Sequence, residues 1–199
     1  METNTKIPSI EICFKLMDKY RMLENIKAHS IVVTKVAHLI ASGLRDAGLD
    51  ISIEKIVAGA LLHDIGKTPS LGTGQDHSEI GRRICLENHL DETANIVAEH
   101  VRLKNYNLNG DYSEKEIVYY SDKRVNHDGI VSLEDRLSYI LARYGKNDEG
   151  ICRAIRMNFE LCKSVEKKLF KKLSFSPESV ADLAENEEIG LPSDLESFS

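Results

Sequence analysis

An all-α fold, a single compact helical bundle, is what this sequence predicts, and three observations carry that expectation. Apolar residues recur at helical spacing along most of the chain, capping residues stand ahead of those runs, and no stretch reads as a convincing strand. At 199 residues, 42% hydrophobic and 29% charged, the chain is long enough for one domain with a sizeable core and short for two.

The elements follow in order. Pro8 suits a first helical turn, and Ile10, Cys13, Phe14 and Met17 fall on one face behind it. A second helix over roughly 26–44 carries Val32, Val33, Val36, Leu39 and Ile40 and ends near Gly43. A turn at Ala47-Gly48-Leu49-Asp50 leads to a third helix, roughly 52–65, capped by Asp50 or Ser52. Gly66 and Pro69 stop it, and a small flexible loop runs from Thr68 to Asp76. A fourth helix spans about His77 to Asn88, and Asp91 caps a fifth bearing Ile96, Val97 and His100. Ser113-Glu114-Lys115-Glu116 is a capping box opening a sixth helix that contains Asp122. Asn126-His127-Asp128-Gly129 reads as a turn, after which Ser132 starts a helix with Leu137, Ile140 and Leu141. The last long helix, about 148–172, aligns Ile151, Ile155, Phe159, Cys162 and Leu169, and its Lys-rich end reads as a solvated, dipole-complementing terminus.

Charge divides the chain into two regions, a domain over 1–173 and an acidic tail over 174–199. The tail holds seven acids and no Lys or Arg, whereas the remaining 173 residues carry 26 basic and 25 acidic groups. The tail is expected to be mobile apart from one short turn after Pro177. A body so close to neutral does not call for nucleic acid as a partner. No apolar run approaches the ~18 residues of a membrane span, and the N-terminus lacks a signal-peptide layout. The scattered Cys13, Cys85, Cys152 and Cys162 form neither a zinc ribbon nor a disulfide framework. Together these features predict a cytoplasmic protein without a membrane partner.

The chemistry concentrates at His63-Asp64-Ile65-Gly66-Lys67, which closes the apolar run from Ile56 to Leu62. Adjacent His and Asp offer a divalent metal one imidazole nitrogen and one carboxylate oxygen, where a buried helix surfaces. His29 shares a helix face with Val33, Val36 and Ile40, so it points to the core, where a polar ring needs a partner. His38, nine residues on at about 100° per residue, faces the opposite side. His89 lies about 120° round from His77 on the same reckoning, and His127 belongs to a turn.

The order His29, His63-Asp64, Asp122 over residues 26–145 resembles the HD superfamily of metal-dependent phosphohydrolases, and more narrowly its stand-alone members with a His-Asp-Ile-Gly motif. The resemblance implies that His29, His63, Asp64 and Asp122 hold one metal, and that His77 and His100 join a bridging Asp64 at a second. Imidazole with carboxylate suits iron, manganese, cobalt, nickel or zinc over magnesium or calcium. The implied reaction is hydrolysis of a phosphate ester or phosphoanhydride by metal-activated water, with a nucleotide or dinucleotide as substrate class. Asp64 and Lys67 are its expected catalytic residues, Lys67 also meeting a phosphate oxygen. Arg82, Arg83, Lys123 and Arg124 are further cations near this order, read mainly as solvated.

Departures narrow the field. Members that act on guanosine alarmones or deoxynucleotides place acids just after the His-Asp pair, where this chain has Ile65-Gly66-Lys67-Thr68. The cyclic-dinucleotide phosphodiesterases add a His after the one matching His100 and a Gly-Tyr-Pro signature, and this chain has Val101 and no such signature. Two alternatives use the same residues: a di-iron oxygenase, and a non-catalytic nucleotide sensor whose acidic tail recruits a partner.

Overall fold

The computed structural model describes residues 7–190; the N-terminal stretch before Ile7 and the tail acids Asp194 and Glu196 lie outside the described residues. The all-α expectation holds. The helices are α1 (Ile10–Lys19), α2 (Glu24–Asp46), α3 (Ile53–Leu62), α4 (Lys67–Ser70), α5 (His77–Glu87), α6 (Asp91–Glu99), α7 (Glu114–Lys123), α8 (Leu133–Tyr144), α9 (Glu149–Leu169) and α10 (Val180–Glu185). The one departure is a two-residue antiparallel ladder, β1 (Val125–Asn126) with β2 (Gly129–Ile130), which pairs Val125 with Ile130 around the expected turn. Among the described residues no helix is long and apolar enough to cross a membrane.

The bundle is organised around α3. Every residue from Ile56 to Leu62 is buried, because α3 packs against α1, α2, α6 and α7 at once and has no solvent face to keep polar. One apolar cluster fills the space between α2, α7, α9 and α10, with Ile56 and Ala60 of α3 in it. Another lies between α1, α5 and α6, and takes Val57, Ala58, Leu61 and Leu62. The chain leaves α3 between these clusters, which puts the residues after Leu62 at the centre of the molecule.

Several boundaries differ from the sequence reading for local reasons. Ser9, not Pro8, begins the first helix: its side chain accepts from the Ile12 amide, leaving Pro8 outside. Ser52 caps α3 by accepting from Lys55, and the helix ends at Leu62 because residues 63–66 form turns. Pro69 does not break structure but sits inside α4, a position in the first turn where its missing N–H costs nothing. Asp91 is the first residue of α6, not its cap. The Ser113/Glu116 capping box is present in both directions.

Two corrections concern charge. Lys168, read as part of a solvated helix end, is buried and bonds Glu116 together with the carbonyls of Asn107 and Asp111, pinning the long α6–α7 connection to α9. The acidic stretch, read as mobile beyond one turn, folds back. The turn at Pro177–Ser179 runs into α10, which buries Val180 and Ala184 against α2. Glu187 meets His38 at 2.5 Å on the face of α2 turned from the centre, as the helical reckoning for His38 requires.

Candidate metal centre

The structure brings together all six residues singled out as metal ligands. His63 is the C-cap of α3 and Asp64 lies in the turn after it, both buried to within 1%. His29 comes from the core face of α2, Asp122 from α7, His77 from the first position of α5, and His100 from the C-cap of α6.

Asp64 stands at the junction. Its Oδ2 faces His63 Nε2 at 3.2 Å and His29 Nε2 at 3.8 Å. Its Oδ1 faces His100 Nε2 at 3.4 Å and His77 Nε2 at 3.5 Å. Asp122 Oδ1 lies 3.1 Å from His29 Nε2 and 3.6 Å from His63 Nε2, on the Oδ2 side. Atoms that each sit about 2.1 Å from one ion are roughly 3.0–3.5 Å from each other, so these separations are those of ligand pairs around a common centre. Two groups that could each hold an ion result, one of His29, His63 and Asp64, the other of Asp64, His77 and His100.

Three backbone carbonyls aim the rings. His63 Nδ1 donates to Ala60 O at 2.7 Å, His100 Nδ1 to Val97 O at 2.6 Å, and His29 Nδ1 to His127 O at 2.7 Å. A carbonyl can only accept, so each Nδ1 carries its hydrogen, and Nε2 of each ring is the atom that would face a metal. His127 itself is an exposed turn residue in the left-handed region, at φ 56°, and serves through its backbone. His89 lies past the end of α5, also left-handed, and plays no part.

The fit to a divalent metal rests on atoms that find nothing else. His63 Nε2 and both oxygens of Asp64 are fully buried without a hydrogen-bond partner among the described residues. Lys67 Nζ comes within 2.5 Å of Asp64 Oδ2, close enough for charge pairing but not aligned as a hydrogen bond. Unpaired buried polar atoms cost about 1–3 kcal/mol each, more when charged, and native structures rarely keep them without a ligand. The mixed nitrogen and oxygen donors suit a first-row transition ion.

The electrostatics point the same way. Burial raises the Asp64 carboxyl, but His63 and Lys67 override it and hold it well below the usual range. Burial likewise raises Asp122, and Lys123 with the His29 and His63 contacts brings it well below. Burial works against protonating His63, yet the two carboxylates outweigh it and lift the ring to about 9. His77 moves the other way, to about 4, through burial and the neighbouring His100, and burial lowers His100 as well. The carboxylate junction therefore demands positive charge, which a proton on His63 supplies in the metal-free chain.

Beside the ligands lies a cavity of about 270 Å³, lined on one side by Asp64, Lys67, His77, His100 and Asp122. Its other wall comes from the α8–α9 pair, where Ile140, Tyr144, Ile155 and Phe159 present apolar surface and Arg136 and Asn158 polar groups. Lys67 lines the cavity as the first residue of α4. Of the other expected cations, Lys123 is buried here, bonded to the His100 carbonyl and 3.1 Å from Asp122 Oδ2. Arg124 is turned away to Val131, Tyr120 and Pro177, while Arg82 and Arg83 bond Glu79 and Gln75 at the surface. The reading of the sequence missed the α8 contribution, although Arg136, Ile140 and Tyr144 stand four residues apart on one helix face.

Gly66 makes this assembly possible. A Cβ there would stand 2.0 Å from the His77 carbonyl and 2.6 Å from the Gly81 amide nitrogen. The turn after His63-Asp64 and the start of α5 touch backbone to backbone, and that contact sets His77 against Asp64.

A helical bundle that gathers four histidines and two aspartates from five elements around one carboxylate presents a candidate metal-binding site. The family model described as HD domain matches residues 26–140, over half of the sequence, and the chain belongs to that family, whose members are generally metal-dependent phosphohydrolases. An uncharacterized protein of Methanocaldococcus jannaschii is 28% identical over 151 residues, 69% of this chain and 88% of that protein. Ribonuclease Y of Mycoplasma capricolum is 31% identical over 150 residues, 74% of this chain but 25% of the ribonuclease. Ribonuclease Y of Fervidobacterium nodosum is 35% identical over 78 residues, 39% of this chain and 14% of the enzyme. The chain thus spans a quarter or less of these ribonucleases. No solved structure matches it.

Proposed function

We propose that this chain hydrolyses a phosphate ester or phosphoanhydride of a nucleotide or dinucleotide, with two transition-metal ions held by His29, His63, Asp64 and Asp122 on one side and Asp64, His77 and His100 on the other. The observation that carries the reading is the division of the Asp64 oxygens between two histidine groups at the edge of a cavity. The similarity to ribonuclease Y supports a phosphodiester as the bond within that class.

Bound there, a divalent metal supplies Lewis acidity that brings the pKa of water to about 7 and neutralises phosphoryl charge. The remaining work belongs to side chains. Asp64 would join the two ligand groups through its two oxygens, and the Ala60, Val97 and His127 carbonyls hold Nδ1 of each ring so that Nε2 would be the atom facing a metal. Lys67 offers its ammonium to a phosphoryl oxygen where negative charge builds up. Lys123 fixes Asp122 from behind, and the apolar α8–α9 wall limits bulk water.

The test is metal content and turnover of full-length protein purified without chelators. Near two ions per chain, near one for His77→Ala, and anaerobic hydrolysis of bis-p-nitrophenyl phosphate that Asp64→Asn abolishes are expected. At most one ion in metal-replete wild type refutes the binuclear reading. Turnover that requires oxygen points instead to the oxygenase, and metal binding without turnover of any phosphate ester points to the sensor.

A further inference from the structure

Four cations line the cavity, Lys67, Arg102, Lys123 and Arg136; Arg102 is exposed, and the other three differ in what already claims them. Lys67 lies 2.5 Å from Asp64, and Lys123 lies 3.1 Å from Asp122, so both belong to the carboxylates of the metal centre. Arg136 does not. Its Nη1 donates to a neutral group, Asn126 Oδ1, at 2.8 Å, and its guanidinium stands 5.5 Å from the Tyr139 ring. Among the described residues its Nε is buried without a hydrogen bond and the guanidinium is paired with no acid.

That combination is unusual for structure alone. Leaving a charged donor dry and unsatisfied is costly, and neighbours that fix one arm of the fork without neutralising it prepare the rest for an anion. A guanidinium recognises phosphate through charge-assisted donors; with Nε covered and Nη1 held by Asn126, Nη2, which makes no hydrogen bond among the described residues, remains for that purpose. One and two turns further along α8, Ile140 and Tyr144 line the same cavity, and Phe159 faces it from α9. An anionic group next to an aromatic and aliphatic wall is the pattern that a nucleotide's phosphate and base would meet.

We propose that Arg136 is a specificity-determining residue that binds a second, non-reacting phosphoryl group, so that the site selects nucleotides carrying at least two phosphoryl groups over those carrying one. The proposal rests on the hydrolase reading for the identity of the reacting group, which Lys67 and the metal ligands would hold. Recognition at Arg136 is separable from it, because binding does not require turnover.

The experiment measures equilibrium affinities of the full chain, in excess manganese, for the 5′-monophosphates and the non-hydrolysable α,β-methylene diphosphates of the four ribonucleosides. Wild type should bind the diphosphate form of at least one nucleoside ~10–100-fold more tightly than its monophosphate, the range expected of charge-assisted hydrogen bonds. Arg136→Gln should remove that ratio while leaving monophosphate affinity and metal content unchanged. Arg136→Lys, which keeps the charge without the fork, should restore part of it, and thermal melts establish that each variant is folded. Equal losses for both phosphate forms in Arg136→Gln would assign Arg136 to the reacting phosphoryl group and overturn the proposal. So would a wild type without the ratio, or one that binds none of these nucleotides. Should turnover be absent from every phosphate ester while the ratio and its loss persist, the hydrolase reading fails and the Arg136 subsite stands.

Discussion

Gly66→Ala tests whether the glycine of the His-Asp-Ile-Gly motif is a spacer for the second metal group. Its φ of −80° is open to any residue, so the substitution acts through space and not through backbone freedom. The added Cβ would stand 2.0 Å from the His77 carbonyl, where ordinary contact starts at 3.4 Å, so about 1.4 Å of separation must be found. Both partners are backbone, in the turn after Asp64 and in the first turn of α5, and neither can rotate away. The shift falls on His77, whose Nε2 sits 3.5 Å from Asp64 Oδ1 and 3.2 Å from His100 Nε2. Metal–ligand distances tolerate only about ±0.2 Å, so the ion beside His77 should be lost while the His29, His63 and Asp122 side keeps its own. Overpacking of this kind costs about 1–3 kcal/mol, so the variant should still fold. Gly43→Ala is a suitable control: its Cβ would meet the Leu173 and Phe175 side chains, which belong to a different part of the core. Metal analysis should show near one ion per chain for Gly66→Ala against near two for wild type and Gly43→Ala, with hydrolysis reduced about 100-fold or more. A Gly66→Ala protein retaining two ions and full turnover would refute the spacer argument.

The metal-free chain should have a stability optimum near pH 6.5. His63, raised to about 9, contributes stability that is complete below its unfolded value near 6.5 and disappears as pH rises through 9. His77, lowered to about 4, costs stability as pH falls from 6.5 toward 4. Melting temperatures across pH, with and without excess manganese, check this: metal should flatten the alkaline limb, since a metal-bound His63 has no proton to lose, and an alkaline limb unchanged by metal would contradict the assignment. Lys67→Gln should lower kcat by ~10²–10³-fold with metal content unchanged, the usual effect of removing one donor at developing charge. A kcat within a factor of two of wild type would exclude Lys67 from the reaction.

Much of the site was legible because its signals are local. His63 and Asp64 are neighbours in sequence, and no folding is needed to see that they can share an ion. His29 could be placed on the core face of α2 from the spacing of Val33, Val36 and Ile40, and His38 excluded by the same arithmetic. The capping box at Ser113 follows from side chains that reach only three residues. What local patterns missed involves residues that meet across the fold. Lys168 looks like a solvated helix end until Glu116, 52 residues away, neutralises it in the core. The acids after Pro177 suggest a free tail, but Val180 and Ala184 supply enough apolar surface to hold α10 against α2.

By itself, the sequence determined that the chain is helical, that it carries the ligand types of an HD domain, and which histidines lie off the line of the site. Those properties reside in helical periodicity, capping chemistry and the order of a few residues, none of which depends on long-range contact. Only the tertiary structure decided how Asp64 divides its two oxygens, why Gly66 has no room for a side chain, and that Arg136 on α8 faces the same cavity as His77 on α5. Each of these is a distance between elements distant in the sequence, and such distances are set by how the two cores pack on either side of α3.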